Sequence, residues 1–99
     1  GVQTCALTIS NMRASTEPYA LLLARRIRAA HGADWGVSET GAAGPTGNRY
    51  GDASGHVCFA VCGAREIART LETGSKDRAA NMQAFAAGAL SLLDEALGA

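Results

Sequence analysis

Fifteen residues from Gly41 to Gly55, reading Gly-Ala-Ala-Gly-Pro-Thr-Gly-Asn-Arg-Tyr-Gly-Asp-Ala-Ser-Gly, hold five glycines and a proline and almost nothing to bury. They carry neither helical nor strand periodicity, so they read as one long loop, with the ordered elements on either side of it. Ahead of it, Val2 to Ile9 mixes β-branched and apolar residues and reads as a strand. Asn11 to Thr16 is a polar connection in which Ser15 or Thr16 can cap a helix. Glu17 and Pro18 suit that helix's first turn, and Tyr19, Leu22, Leu23, Ile27 and Ala30 recur at its spacing until Gly32 stops it after His31. Trp35 to Thr40 follows as a short strand. Behind the loop, His56 to Cys62 and Glu66 to Thr73 flank Gly63-Ala64 as a hairpin. Ser75 then caps a last helix whose apolar stripe is Met82, Phe85, Ala86, Ala89, Leu90, Leu93 and Leu97. The order β, α, β, β, β, α makes an α/β fold, a mixed sheet covered by helices, and at 99 residues a single domain spanning 1–99.

The core of such a domain is thin. Of the 47 apolar residues 21 are alanine, which leaves 26 larger side chains and predicts a partner surface, most simply in a homo-oligomer. Alanines on both helices allow close approach to a sheet or a second subunit. Nine Lys and Arg balance nine Asp and Glu, so no net field favours nucleic acid or an anionic membrane. No apolar run is long enough to span a bilayer and no secretory signal opens the chain, which together predict a cytoplasmic protein. Cys58 and Cys62 fall on one face of one strand, roughly 13 Å apart along it, too far for a disulfide or a shared metal. With Cys5 they read as thiols in a reducing compartment.

The glycine-rich loop is the main functional signal, because long loops in small domains are uncommon and its glycines allow backbone amides to converge on an anion. It reads either as a surface loop or as a ligand cradle. Gly44-Pro45-Thr46-Gly47-Asn48 leads into a strand, so it is neither a P-loop nor a dinucleotide fingerprint. Arg78, in the first turn of the last helix, is either part of an anion site or a solvated arginine paired with Asp77 or Glu72. His56 has no partner at metal spacing and reads as structural. Arg25, Arg26, Arg28 and His31 read as a solvated helix face, and Trp35 as core edge.

The run Gly32-Ala33-Asp34-Trp35-Gly36-Val37-Ser38-Glu39-Thr40-Gly41-Ala42-Ala43-Gly44-Pro45-Thr46-Gly47, followed by Gly55-His56-Val57 and Asp77-Arg78-Ala79, resembles the central signature of the CinA carboxyl-terminal domain family. The resemblance extends over nearly the whole chain, and Asn48 to Gly55 looks like the variant loop of a CinA-like branch. The family includes nicotinamide mononucleotide deamidases. The resemblance implies a three-layer α/β/α domain hydrolysing a nicotinamide mononucleotide-like amide to the acid and ammonia, with no metal and no organic cofactor. It implies that Thr40, Gly41, Ala43, Gly44, Pro45 and Gly47 line the substrate pocket, with Arg78 as the catalytic-site arginine.

The same resemblance implies departures. The family's Glu-Ser-Cys-Thr-Gly-Gly motif, with its nucleophilic serine, belongs ahead of Gly1, which implies a chain corresponding to the C-terminal portion of the family domain. In the next family element a tyrosine and a lysine assist the serine. Gly1-Val2-Gln3-Thr4 fits its start, but Cys5 stands at the tyrosine position and Ser10 at the lysine position. Impaired hydrolysis is therefore expected of these residues alone, on the order of 10⁴ to 10⁶ in turnover, because covalent catalysis has no substitute group. The alternatives are a non-catalytic module that binds a nucleotide or phosphate, and an oligomerisation module.

Overall fold

A computed structural model of the chain describes residues 13–48 and 51–98. The order is helix α1 (Glu17–His31), strand β1 (Gly36–Gly41), strands β2 (His56–Cys62) and β3 (Glu66–Glu72), and helix α2 (Arg78–Ala96). The three strands form one sheet in the order β1-β2-β3, both pairs antiparallel. The expected strand Val2 to Ile9, on which the mixed character of the sheet depends, lies outside the described residues, as do Cys5 and Ser10.

The central strand explains the layering. All seven residues of β2 are buried, as expected of an apolar run covered on both faces. Val57, Phe59 and Val61 pack on one face with Phe85, Leu92 and Ala96 of α2. Cys58, Ala60 and Cys62 pack on the other with Ala20 and Ala24 of α1. The domain is thus an α/β/α sandwich with one helix per face. The two thiols share the α1 face, as the period-two spacing predicts, and both are free.

Alanine on the α1 side brings helix and sheet together. A Cβ added at Gly36 would sit 2.2 Å from the Ala24 carbonyl oxygen, so the backbones of α1 and β1 touch where β1 carries no side chain. Polar pairs complete the same face: Thr70 donates to Glu17 at 2.6 Å and Arg25 pairs with Glu66 at 2.6 Å. On the opposite face Arg69 reaches Glu95 at 2.7 Å. The alternation follows the strand period from Glu66 to Thr70.

Helix ends depart from the expectation in two ways. Thr16 occupies the N-cap of α1, but its hydroxyl donates to the Arg13 carbonyl at 2.7 Å instead of capping. Asp77, not Ser75, caps α2, accepting from the Ala80 amide at 3.2 Å. An aspartate at this position also complements the helix dipole, and Ser75 supports it by accepting from the Asp77 amide at 3.0 Å. Gly32 ends α1 in the left-handed conformation as predicted.

The apolar stripe of α2 is turned relative to its predicted phase. Phe85 is buried and Ala89 and Leu93 pack at the core edge, but Met82, Leu90 and Leu97 are exposed, as is Ala86. The inward face instead holds Asn81, Phe85, Leu92 and Ala96. Among the described residues no helix is long and apolar enough to cross a membrane.

Candidate functional site

Where β1 ends, the chain does not turn directly into β2. It runs through the glycine-rich segment, and that segment is tied down from several sides. At its start the Ala42 amide donates to the His56 carbonyl at 2.8 Å, and the Gly55 amide donates back to Ala42 at 2.7 Å, so the loop closes on its own stem. Farther along, Asn48 and Asp52 bond to each other: the Asn48 amide donates to the Asp52 carbonyl at 3.2 Å, and the two side chains bond at 2.9 Å. Arg13 also pairs with Asp52. The hydrogen bonds from Arg13 and Asn48 hold the Asp52 carboxyl below the usual carboxylate range.

From the other side, α2 reaches across. Arg78 donates to the Gly44 carbonyl at 3.0 Å and Asn81 donates to the Ala43 carbonyl at 2.8 Å. Asn81 also donates to the Ser75 carbonyl at 2.8 Å and accepts from the Thr73 hydroxyl at 2.5 Å. Gly44 has φ near +104°, and an added Cβ would meet the Ser54 hydroxyl at 2.2 Å, so only glycine fits. With two loop carbonyls drawn to α2, the amides of Gly44, Thr46 and Gly47 meet no acceptor among the described residues.

These contacts frame a cavity of about 650 Å³. That size is in the range of small-ligand pockets. Of the residues expected at a binding site, Thr40, Gly41, Ala43, Gly44, Gly47 and Arg78 all line it, while Pro45 does not. The Arg78 guanidinium reaches the loop, so neither Asp77 nor Glu72 is its partner. The cavity also takes in residues that the sequence did not single out for the site: Glu39, Asn48 and Met82, with Tyr19 and Phe85 as aromatic walls. Burial pushes the Glu39 carboxyl above its ordinary value. The unused amides and Arg78 offer an anion both hydrogen bonds and charge, and the apolar walls offer a surface for a flat ring.

Asn81 is the residue most clearly missed. It is 1% exposed, and its signal was present as an amide side chain one helical turn ahead of Phe85 in an otherwise alanine-rich stretch. Among the described residues no group of three His, Cys, Asp or Glu side chains is placed to hold a metal ion.

The CinA C-terminal domain model matches residues 2–97. No curated protein matches the chain. Among solved structures, the competence or damage-inducible protein from Enterobacter asburiae is 31% identical, with a TM-score of 0.77 over 83% of this chain and 52% of that one. The competence damage-inducible protein A (ComA) from Klebsiella pneumoniae is 26% identical, with a TM-score of 0.83 over 98% of this chain and 60% of that one. A CinA superfamily protein from Escherichia coli, 24% identical over 80% of this chain and 46% of its own, has the same fold at a TM-score of 0.74. This chain therefore spans between 46% and 60% of the length of these three relatives.

Proposed function

Because the chain belongs to the CinA C-terminal domain family, we propose that the cavity between the Thr40–Gly47 segment and Arg78 binds a phosphorylated amide of the nicotinamide mononucleotide class. The observation that carries this reading is the junction of Arg78 with Gly44 at 3.0 Å. It brings a fixed positive charge to a loop whose amides are available to an anion. In the full reaction the carboxamide is hydrolysed to the acid with release of ammonia. This stretch supplies recognition of the ligand; the serine that attacks the amide is not among its described residues. A cytoplasmic setting accords with the buried free thiols Cys58 and Cys62.

Nicotinamide mononucleotide at about a hundredfold excess over its dissociation constant stabilises the fold by about 2.7 kcal/mol. For a domain of this size that raises the melting temperature on the order of 10 °C. Arg78→Ala removes most of this rise, while its own ligand-free stability stays within about 1 kcal/mol of the parent, because Arg78 is exposed. A thermal melt of both proteins with and without ligand makes the comparison. An equal rise in the variant would contradict the assignment.

A second reading draws on Leu90 and Leu97, 67% and 56% exposed on the outer face of α2. These large apolar side chains favour an assembly role, with the homo-oligomer as its form. Sedimentation of the parent and of Leu90→Glu separates the two readings, since a monomeric parent leaves the outer face without a homo-oligomeric partner.

A further inference from the structure

Ser15, just ahead of α1, lies in the left-handed region at φ near +63° and is 4% exposed. A residue other than glycine holds that conformation only when its surroundings compel it. Here every polar group of Ser15 is engaged. Its amide donates to the Thr40 hydroxyl at 3.0 Å, and its hydroxyl accepts from Asn48 at 3.1 Å. Its carbonyl faces His56 Nε2 at 2.8 Å and accepts from the Cys58 thiol at 3.4 Å. Thr40 and Asn48 both line the cavity, so Ser15 is the brace behind one of its walls.

His56 sits at the head of this arrangement. Its Nδ1 meets the Glu72 carboxylate, opposite it in the β2-β3 register, while Nε2 meets the Ser15 carbonyl. Both neighbours are acceptors, so both ring nitrogens must donate, and only the imidazolium has two N–H groups. We propose that His56 is a positioning residue of the ligand cavity: its imidazolium, held by Glu72, clamps Ser15 and thereby sets Thr40 and Asn48 in the cavity wall.

The charged and titratable groups around the ring come from every neighbouring element. Glu72 closes β3, and Asp52 in the long loop has an oxygen 3.9 Å from Nε2. Cys58 of β2 lies 3.9 Å from the same nitrogen, Arg13 balances Asp52, and Glu17 of α1 is reached through Thr70. Burial works against the charged ring. The Ser15 carbonyl, Glu72 and Asp52 outweigh it, and the imidazole is held above its ordinary pKa of 6.5.

When the proton leaves, the carboxylate is the stronger acceptor and keeps the remaining N–H on Nδ1. Nε2 then turns a lone pair toward the Ser15 carbonyl oxygen, and the brace is lost. A raised folded pKa means that the clamp contributes fully below 6.5 and fades as pH rises through the folded value.

The test follows the ring nitrogens and the backbone amides of Ser15 and Thr40 by ¹H–¹⁵N NMR of the full chain from pH 5.5 to 9.5. This arm needs no ligand. Both ring nitrogens should be protonated at pH 5.5, the midpoint of His56 should lie above 6.5, and the Ser15 and Thr40 amides should shift with it. A ring carrying a single N–H at pH 5.5, or amides that ignore its titration, would overturn the proposal.

The second arm rests on the functional reading and measures the affinity for nicotinamide mononucleotide at pH 6.5 and pH 9.5. The parent should weaken about tenfold, the size expected from losing one charged hydrogen bond. His56→Gln keeps a donor at the Nε2 position without titrating and should change less than twofold. A variant as pH-sensitive as the parent would refute the clamp. Absence of binding at every pH would refute the functional reading, and the ligand-free arm would then decide the clamp by itself.

Discussion

Replacing Asn81 by alanine should destabilise the protein by about 3 kcal/mol, the sum expected for a buried amide that serves several partners at once. The side chain donates at 2.8 Å to the carbonyls of Ala43 and Ser75 and accepts from Thr73, so it joins the long loop, the segment after β3 and α2 at one point. The loss is uneven. The Ser75 carbonyl keeps a donor in Ser54 at 2.9 Å, but the Ala43 carbonyl keeps no side-chain donor among the described residues. For a domain of this size such a loss lowers the melting temperature on the order of 15 °C. Because Ala43 lines the cavity, ligand binding should weaken in the same variant even where it is still folded. Urea unfolding of Asn81→Ala gives the free energy directly. A change below about 1 kcal/mol would mean that the loop is fixed by the bonds between Asn48 and Asp52 and not by α2.

The second large effect distinguishes two leucines two positions apart. Leu92 is 1% exposed, within the cluster of Val57, Phe59, Val61 and Phe85, whereas Leu90 is 67% exposed. Leu92→Ala leaves a cavity in a thin core and should cost about 2–5 kcal/mol. Leu90→Ala should stay within about 0.5 kcal/mol in the monomer. Equilibrium unfolding of the pair tests the orientation of α2, since the orientation read from the stripe of Met82, Leu90 and Leu97 predicts the reverse order.

That stripe shows where the sequence pattern stops being informative. Helix α2 carries alanine around most of its circumference, so the contrast between faces is low and several phases fit nearly equally well. Asn81 deepens the ambiguity, because a polar residue at an inward position argues for the wrong face until its three partners are known. Strand β2 was legible for the opposite reason. An unbroken apolar run between a glycine-rich loop and a glycine turn has few alternatives to a central strand. The cap of α2 was misplaced by two residues because Ser75 and Asp77 are both good caps, and the choice depends on where the chain leaves β3.

The site divides in the same way. The unusual glycine content of the loop and the lone arginine heading α2 were visible, and the family signature joined them. The contact between Arg78 and Gly44 spans 34 residues and follows no local rule. Ser15 is the least readable member, since serine is not a residue type that announces a left-handed backbone. Its conformation comes from Thr40, Asn48, Cys58 and His56, all distant in the chain.

The segment from Thr40 to Gly47, held by Arg78 and Asn81, is proposed as the binding site for a phosphorylated amide. Titration of the ¹⁵N-labelled chain with nicotinamide mononucleotide tests this residue by residue. Saturable shifts should concentrate at the amides of Gly44, Thr46 and Gly47 and at the Arg78 side chain, with Leu90 and Leu97 unmoved. An unchanged spectrum at millimolar ligand, or shifts confined to the outer face of α2, would contradict it.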